Sequence, residues 1–210
     1  MKNNADVKRY VETCREVFWQ DIFDFETRDL ISRLTGCRDI LSVGCGPAII
    51  EVKLSEYGFN VTGLDVSAEA LKCAPDGVRA FVGRAEDMPF TESSFDAVIY
   101  VASLQFIEDY QKALQQTSFV LRPDGRIIVM LLNPASNFFK DRISEPDSYV
   151  NLIRHRDLNI IESSMEEFFS TQTEYILGVR GTNVFKSNKP GEAALYVVVG
   201  RKTQTSFKRI

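Results

Sequence analysis

The sequence predicts an α/β fold in which a mainly parallel sheet of seven strands, with helices on both faces, ends in an antiparallel edge hairpin. From residue 37 to residue 132, short apolar runs alternate with amphipathic stretches. This alternation is typical of parallel strands that are buried on both faces. Near the C-terminus, the polar loop 181–191 separates two further strand-like runs, 173–179 and 193–199. We therefore expect these two strands to pair antiparallel.

Residues suited to helix ends support the predicted elements. Pro47 fits the first turn of a helix that ends before Gly58, and Ser67 is placed to cap the next helix. Asp157 is placed to cap a helix over 158–169, whose apolar residues follow helical spacing. The parallel strands are predicted at 40–44, 59–65, 78–82, 95–101 and 126–132, with a further helix at 109–121.

The 210 residues suffice for one domain with a proper core but are few for two. We expect residues 1–36 to form two helices that pack on the main domain as a lid. That domain is predicted over 37–202 and carries a helical insertion after the fifth strand, over 133–170. The tail, 203–210, is predicted to be frayed.

Composition argues against two classes of protein. Apolar residues make up 44% of the chain, and 25 basic against 29 acidic residues give a net charge of −4. Nucleic acid is therefore a disfavoured partner, because binding it calls for a basic surface. No apolar run approaches the ~18–20 residues of a membrane span, and the N-terminus lacks the apolar core of a signal peptide. We expect a cytoplasmic protein with no membrane partner, and the sequence leaves its oligomeric state open.

The cysteines and the single histidine do not predict a metal site. Cys14, Cys37, Cys45 and Cys73 form no Cys-x-x-Cys pair, and His155 is remote from them in sequence. Without an export signal we expect free thiols. His155 lies between two arginines, which is typical of a solvated basic surface.

A loop with two glycines, residues 43–48, joins the first strand to the helix that follows it. Glycine lets the backbone turn sharply and lets a ligand approach the main chain, and the helix N-terminus adds N–H donors. Gly-x-Gly alone is a weak signal. The dinucleotide fingerprint requires a third glycine where this chain has Ile49, so a nicotinamide dehydrogenase is disfavoured.

Asp65 ends the second strand, 21 residues after Gly44. An acid at about this distance can accept hydrogen bonds from both hydroxyls of a ribose. A solvated or helix-capping aspartate is the alternative for Asp65 taken alone. The glycine loop before it favours the ribose role.

Five stretches, in order and at the usual spacing, resemble the class I S-adenosylmethionine-dependent methyltransferases, close to the group that includes ubiquinone- and menaquinone-biosynthesis-type enzymes. They cover about 90 residues and lie at 41–48, 63–67, 83–90, 94–98 and 121–126. The resemblance implies a Rossmann-like fold, with S-adenosylmethionine as methyl donor and S-adenosylhomocysteine as product. A catalytically inactive cofactor-binding or regulatory module is the alternative.

The resemblance also assigns cofactor contacts to positions at the carboxyl ends of the strands. The loop, with Gly44, Cys45 and Gly46 and the preceding Val43, would pass under the methionine and ribose part of the cofactor. Asp65 would hold the ribose hydroxyls.

Further contacts are implied on the adenine side and at the methionine end. Val66 would pack on the adenine, whose edge Ala85 and Glu86 would recognise through a backbone N–H and a side chain. Val101, at the end of the fourth strand, would lie near the methionine end.

The chain departs from the family at three positions. Many relatives have glycine where this chain has Ala48, aspartate where it has Arg84, and histidine where it has Gln105. A glutamine cannot act as a general base, so the sequence leaves any catalytic residue unknown.

The methyl acceptor is expected where the N-terminal helices, the segment after the fourth strand and the insertion converge. Candidate pocket residues are Tyr10, Trp19, Gln105 and Asn133. Largely apolar or aromatic surroundings predict a small-molecule acceptor over a polyanion. Packing of the aromatic residues on the domain is the alternative.

Overall fold

The computed structural model describes residues 4–203, with side chains from Val7 onwards, and contains one eight-stranded sheet. The helices are α1 Asn4–Thr13, α2 Val17–Arg33, α3 Ile49–Glu56, α4 Ala68–Leu71, α5 Tyr110–Val120, α6 Asn137–Ile143 and α7 Leu158–Glu166. The strands are β1 Asp39–Val43, β2 Asn60–Asp65, β3 Arg79–Val82, β4 Phe95–Val101, β5 Leu121–Leu132, β6 Phe169–Arg180, β7 Asn183–Phe185 and β8 Ala193–Lys202. Two 3-10 helices lie at Leu104–Phe106 and Tyr149–Leu152.

The strand order is β3-β2-β1-β4-β5-β8-β6-β7. The first five strands are parallel, and β8 runs antiparallel between β5 and β6. The mainly parallel sheet with an antiparallel edge is therefore confirmed. The chain reverses its strand order at β1 and β4, so their carboxyl ends flank the crevice in which open α/β sheets bind ligands.

The sheet has one strand more than the sequence predicts. The additional strand, β7, lies inside the loop expected at 181–191 and pairs with β6 through Val184 and Val179. A strand of three residues, Asn183–Phe185, is too short to leave a periodic pattern in the sequence. The fifth strand begins at Leu121 instead of Arg126, because residues 122–125 form an irregularity in the pairing of β5 with β4.

The predicted helix caps are confirmed at two helices and displaced at a third. The Ser67 hydroxyl accepts the Ala70 N–H at 3.1 Å, and the Asp157 carboxylate accepts the Asn159 N–H at 3.0 Å. The helix after the glycine loop starts later than expected, at Ile49. Ala48 lies at φ +58°, in the left-handed region that a right-handed helix cannot include.

Apolar side chains cover both faces of the sheet. Alternate residues of β1 point to opposite faces, with Ile40 among helices α2, α3 and α6 and Leu41 towards α5 and α7. The sheet is thereby fixed on both sides, and its carboxyl edge presents loops at defined positions. Among residues 4–203, no helix is long and apolar enough to cross a bilayer.

Candidate functional site

The loop from Gly44 to Ala48 follows β1 at the carboxyl edge of the sheet and alternates through left-handed conformations. Gly44, Gly46 and Ala48 have φ of +75°, +54° and +58°. A Cβ added at Gly44 would lie 2.5 Å from Ser103 Cβ, in the segment that follows β4. Glycine is therefore required at position 44 by backbone conformation and by contact.

Asp65 braces this loop from the end of β2. Its Oδ2 accepts the N–H of Gly46 and its Oδ1 accepts the N–H of Ser67, both at 2.8 Å. Each carboxylate oxygen keeps a second lone pair. The half-buried Asp65 can therefore position the loop and still accept hydrogen bonds from a diol.

The surroundings of Asp65 fit an adenosine. The apolar side chain of Val66 is 65% exposed, and a flat ring would cover it. Within the described chain, the N–H of the buried Ala85 donates to no protein acceptor. Glu86, also buried, accepts from the Arg84 guanidinium at 2.7 Å. An exposed apolar surface and an unused donor flank the acid, as binding a heteroaromatic base on a ribose requires.

Cys45 is turned away from the crevice and towards the sheet. A Cβ added at Gly63 of β2 would lie 2.7 Å from Cys45 Sγ. Burial, followed by the charges of Glu51 and Asp65, raises the pKa of the Cys45 thiol. The thiol therefore stays protonated and is a packing group instead of a nucleophile.

The backbone next to the loop is fixed by the segment after β4. The side chain of Val43 is buried in the core, and its carbonyl accepts the Ser103 hydroxyl at 2.6 Å. Val101 is half-buried at the end of β4, and Ala102 follows at φ +45°. Val43 can thus contribute main chain but no side chain to a ligand.

Gln105 does not offer its amide to an acceptor, contrary to the sequence-based expectation. The side chain is fully buried, and its Oε1 accepts the Leu132 N–H at 2.7 Å while its Nε2 donates to the Leu132 carbonyl at 3.1 Å. The amide thus continues the hydrogen bonding of β5 beyond β4. The two hydrogen bonds of the Gln105 amide fix the end of β5.

The side chain of Asn133 likewise forms its hydrogen bonds with backbone groups. Its Nδ2 donates to the carbonyls of Pro190 and Ala193 at 2.6 and 2.8 Å, and its Oδ1 accepts the Ala135 N–H. Every hydrogen bond that the structure gives the Asn133 amide is made to a backbone group. We therefore correct both Gln105 and Asn133 from acceptor contacts to structural residues.

His155 is also tied to backbone instead of facing solvent on a basic surface. Its Nε2 lies 2.9 Å from the carbonyl of Ile107, and its ring packs edge-on against Tyr110. The N–H groups of Arg154 and His155 both donate to the carbonyl of Gln105. The insertion is thereby fastened to the segment after β4.

The three segments expected to build the acceptor site meet at Tyr149, which sequence reasoning does not single out. Its ring lies 6.0 Å from Trp19 of α2 and 6.5 Å from Phe106 after β4, between ring centroids. Trp19 also packs edge-on against Phe138 of α6 at 6.4 Å. Tyr10, on α1, is 37% exposed. The structure thus brings Trp19, but neither candidate amide, to an aromatic junction.

Glu26 of α2 is a second residue that the sequence analysis misses. It occupies a buried position between Ile22 and Leu30, one turn away on either side. Burial, followed by the charges of Asp29 and Glu51, raises the pKa of Glu26 to about 8. An acid in an apolar stripe of helical spacing is the signal that could have identified it.

Glu51, which faces Glu26 from α3, is the other buried acid of this region. Its Oε1 accepts the Ser42 hydroxyl at 2.5 Å. Burial is the main cause that raises the pKa of Glu51 to about 7, with a contribution from Asp65. Two buried acids with elevated pKa values thus lie on the neighbouring helices α2 and α3.

Part of this chain is similar to known methyltransferases. Residues 41–129 match the model of a family described as a methyltransferase domain. An O-methyltransferase of Penicillium expansum is 28% identical over 178 residues, which cover 69% of this chain and 64% of that protein. A demethylmenaquinone methyltransferase of Tropheryma whipplei is 31% identical over 101 residues, which cover 46% of this chain and 42% of that protein. The chain thus spans less than two thirds of the length of these relatives.

A solved structure from Thermotoga maritima shares the fold over nearly the whole chain. It is described as an S-adenosylmethionine-dependent methyltransferase, possibly a histamine N-methyltransferase. The TM-score is 0.80 at 20% identity, covering 95% of this chain and 97% of that one. At this identity the likeness shows the fold, and residues 41–129 carry the match to a methyltransferase domain.

Proposed function

We propose that the protein transfers a methyl group from S-adenosylmethionine to a nucleophilic atom of a small molecule. The observation that carries this proposal is the loop that Asp65 holds at Gly46, beside the exposed Val66 and the unused Ala85 N–H. This arrangement offers a separate contact to the ribose and to the adenine. We also propose the remaining cofactor contacts at Val43, Gly44, Cys45, Glu86 and Val101.

The donor, when bound, supplies a methyl group already activated by a sulfonium. The protein then has to align donor and acceptor and exclude water. Ser103 and Gly44 fix the floor of the crevice, and Tyr149, Trp19 and Phe106 supply apolar walls beyond it. We place the acceptor against these walls.

Two considerations support a small acceptor. The walls are aromatic and come from three separate segments, which favours an enclosed pocket over an open groove. The curated relatives named above are an O-methyltransferase and a demethylmenaquinone methyltransferase. We infer that the acceptor is a small, partly apolar molecule.

Calorimetry tests the cofactor. We expect S-adenosylhomocysteine to bind in the micromolar range, about 8 kcal/mol, and NAD not to bind. Transfer of a radiolabelled methyl group from S-adenosylmethionine into cell extract tests the acceptor, with label expected in the small-molecule fraction. Binding of NAD alone would refute the cofactor assignment. Label confined to RNA or protein would refute the acceptor class.

A further inference from the structure

The carboxyl group of Glu26 is buried without a partner. The residue is 4% exposed, and among residues 4–203 its carboxyl group has no hydrogen bond and no ion pair. A buried carboxyl group normally has partners, because its removal from water is costly. Such a group at a ligand site indicates a partner that arrives with the ligand.

The groups that act on Glu26 are acidic or neutral. The charges that bear on it come from Asp29 on its own helix and Glu51 on α3. Burial is the main cause that raises the pKa values of Tyr149, in the insertion, and Tyr10, on α1, and the charge of Glu26 contributes to both. Arg142 also acts on Tyr149, but its guanidinium lies against Trp19 and bonds Glu145 at 3.1 Å. Cys14 of α1, beside Tyr10, is a neutral thiol with a pKa raised to about 11 by burial.

Two buried hydroxyl groups nearby in sequence are also without partners. Thr27 Oγ1 and Ser148 Oγ make no hydrogen bond within the described part of the chain. Thr27 follows Glu26 on α2, and Ser148 precedes Tyr149. Three unsatisfied polar groups thus belong to the two elements that carry Trp19 and Tyr149. The acids disfavour an anionic ligand, and a neutral apolar ligand would leave the carboxyl group unpaired.

We propose that Glu26 binds the ammonium group of the methyl acceptor, which is therefore a small amine on an apolar or aromatic body. This proposal rests on the proposed function and specifies its substrate class. The ammonium would pair with the carboxylate while its body packs on the aromatic walls, where cation–π attraction adds to the binding.

Glu26 then has a second task, as proton acceptor. Its carboxylate takes one proton from the ammonium, which leaves a neutral amine with a free lone pair. That lone pair forms the new N–C bond to the methyl group, while the C–S bond of the donor breaks and its electron pair goes to sulfur. Atoms and charge balance, with the proton on Glu26 and the positive charge on the methylated amine. An acid with a pKa near neutrality suits such a transfer.

Calorimetry with matched probes tests the proposal on protein saturated with S-adenosylhomocysteine. The probes are phenethylamine, the neutral 2-phenylethanol and the anionic 3-phenylpropionate. We expect wild-type protein to bind the amine at least about tenfold tighter than the alcohol, and the anion least. Glu26→Gln should weaken binding of the amine at least about tenfold and leave the alcohol within about threefold. Glu92→Gln, at an exposed position, is the charge-matched control and should retain the preference.

Carboxyl carbon NMR of wild-type protein gives an answer that does not depend on a variant folding. Phenethylamine should keep Glu26 ionised to lower pH, and 2-phenylethanol should not. Equal affinity for amine and alcohol, no binding of the amine up to about 10 mM, or a preference that survives Glu26→Gln would overturn the inference. Failure of S-adenosylhomocysteine to bind would instead refute the proposed function, and the probes are then compared on the unliganded protein.

Discussion

The crevice beside Asp65 and the aromatic junction around Tyr149 lie on the same carboxyl edge but are built differently. The crevice consists of backbone, from Gly44 to Ala48, with each turn held by hydrogen bonds within the protein. The junction consists of side chains from three distant segments, and the segments of Trp19 and Tyr149 also carry a buried carboxyl group and two buried hydroxyl groups that make no hydrogen bond within the described residues. One region is complete before a ligand binds, and the other is not.

The two regions therefore contribute differently to the stability of the ligand-free fold. Backbone turns with positive φ and short hydrogen bonds preorganise the crevice, so little ordering remains for the cofactor to impose. The unpartnered groups of the junction destabilise the ligand-free fold, as polar groups at functional sites commonly do. Variants in the crevice should therefore lose stability and cofactor affinity together. Variants at the junction can gain stability.

The largest expected effect is the pH dependence caused by Glu26. Its folded-state pKa of about 8 lies above the ordinary value of 4.5, so the folded state holds a proton that the unfolded chain has lost. The free energy of unfolding should therefore fall as the pH rises from about 4.5 to 8, by roughly 3–5 kcal/mol from this group. Glu51 acts in the same direction up to a pH of about 7.

Urea titrations across this pH range measure the slope, with Glu26→Gln as the test variant and Glu92→Gln as the control. Glu26→Gln should flatten the slope between about pH 7 and pH 8, where Glu51 is already more than half ionised in the folded state. A slope in Glu26→Gln equal to that of wild type would mean that Glu26 is not desolvated in solution.

Gly44→Ala should give the next largest effect. The new methyl group would clash with Ser103, and the alanine backbone would have to adopt φ +75°. We expect these two effects to lower the free energy of unfolding by roughly 2–4 kcal/mol. Cofactor affinity should fall with it. Gly191→Ala is the matched control, because no atom lies within 4 Å of its added Cβ and its φ is not positive. Equal stability of the two variants would show that the loop is not preorganised.

Asp65→Ala removes the brace of Gly46 and the proposed ribose acceptor together. The expected loss is roughly 1.5–3 kcal/mol of binding free energy, at least about tenfold in the dissociation constant for S-adenosylhomocysteine. Asp65→Asn should lose less, because one oxygen still accepts. Unchanged affinity in Asp65→Ala, with the exposed Asp76→Ala as control, would assign Asp65 to the fold alone.

Gln105→Leu should have the smallest effect and only on stability. Both peptide groups of Leu132 that the amide now bonds would lose their partner, at a cost of about 1–2 kcal/mol. Thermal unfolding measures this loss, and calorimetry should find affinity for S-adenosylhomocysteine within about twofold of wild type. A tenfold loss of that affinity without a loss of stability would indicate that Gln105 contributes to the ligand site.

The sequence predicts the crevice better than the junction for a physical reason. Gly44, Gly46 and Asp65 act through local backbone geometry, which spacing along the chain reveals. Glu26, Tyr149 and Ser148 meet only through tertiary packing, and no spacing connects them. The same limit explains Gln105 and Asn133, whose polarity indicates a hydrogen bond but not whether its partner is a ligand or the end of β5. The boundaries 36/37 and 202/203 stay predictions, and most of the tail lies outside the described residues.

The hydrogen bonds at Gln105 bear on how a ligand would leave the site. The carbonyl of Gln105 holds Arg154 and His155, its amide holds Leu132, and His155 in turn lies on Ile107. Moving this end of the insertion would break these bonds together, whereas α1 packs chiefly on the short helix α4. On the proposed function, we therefore expect the methylated product to leave past α1.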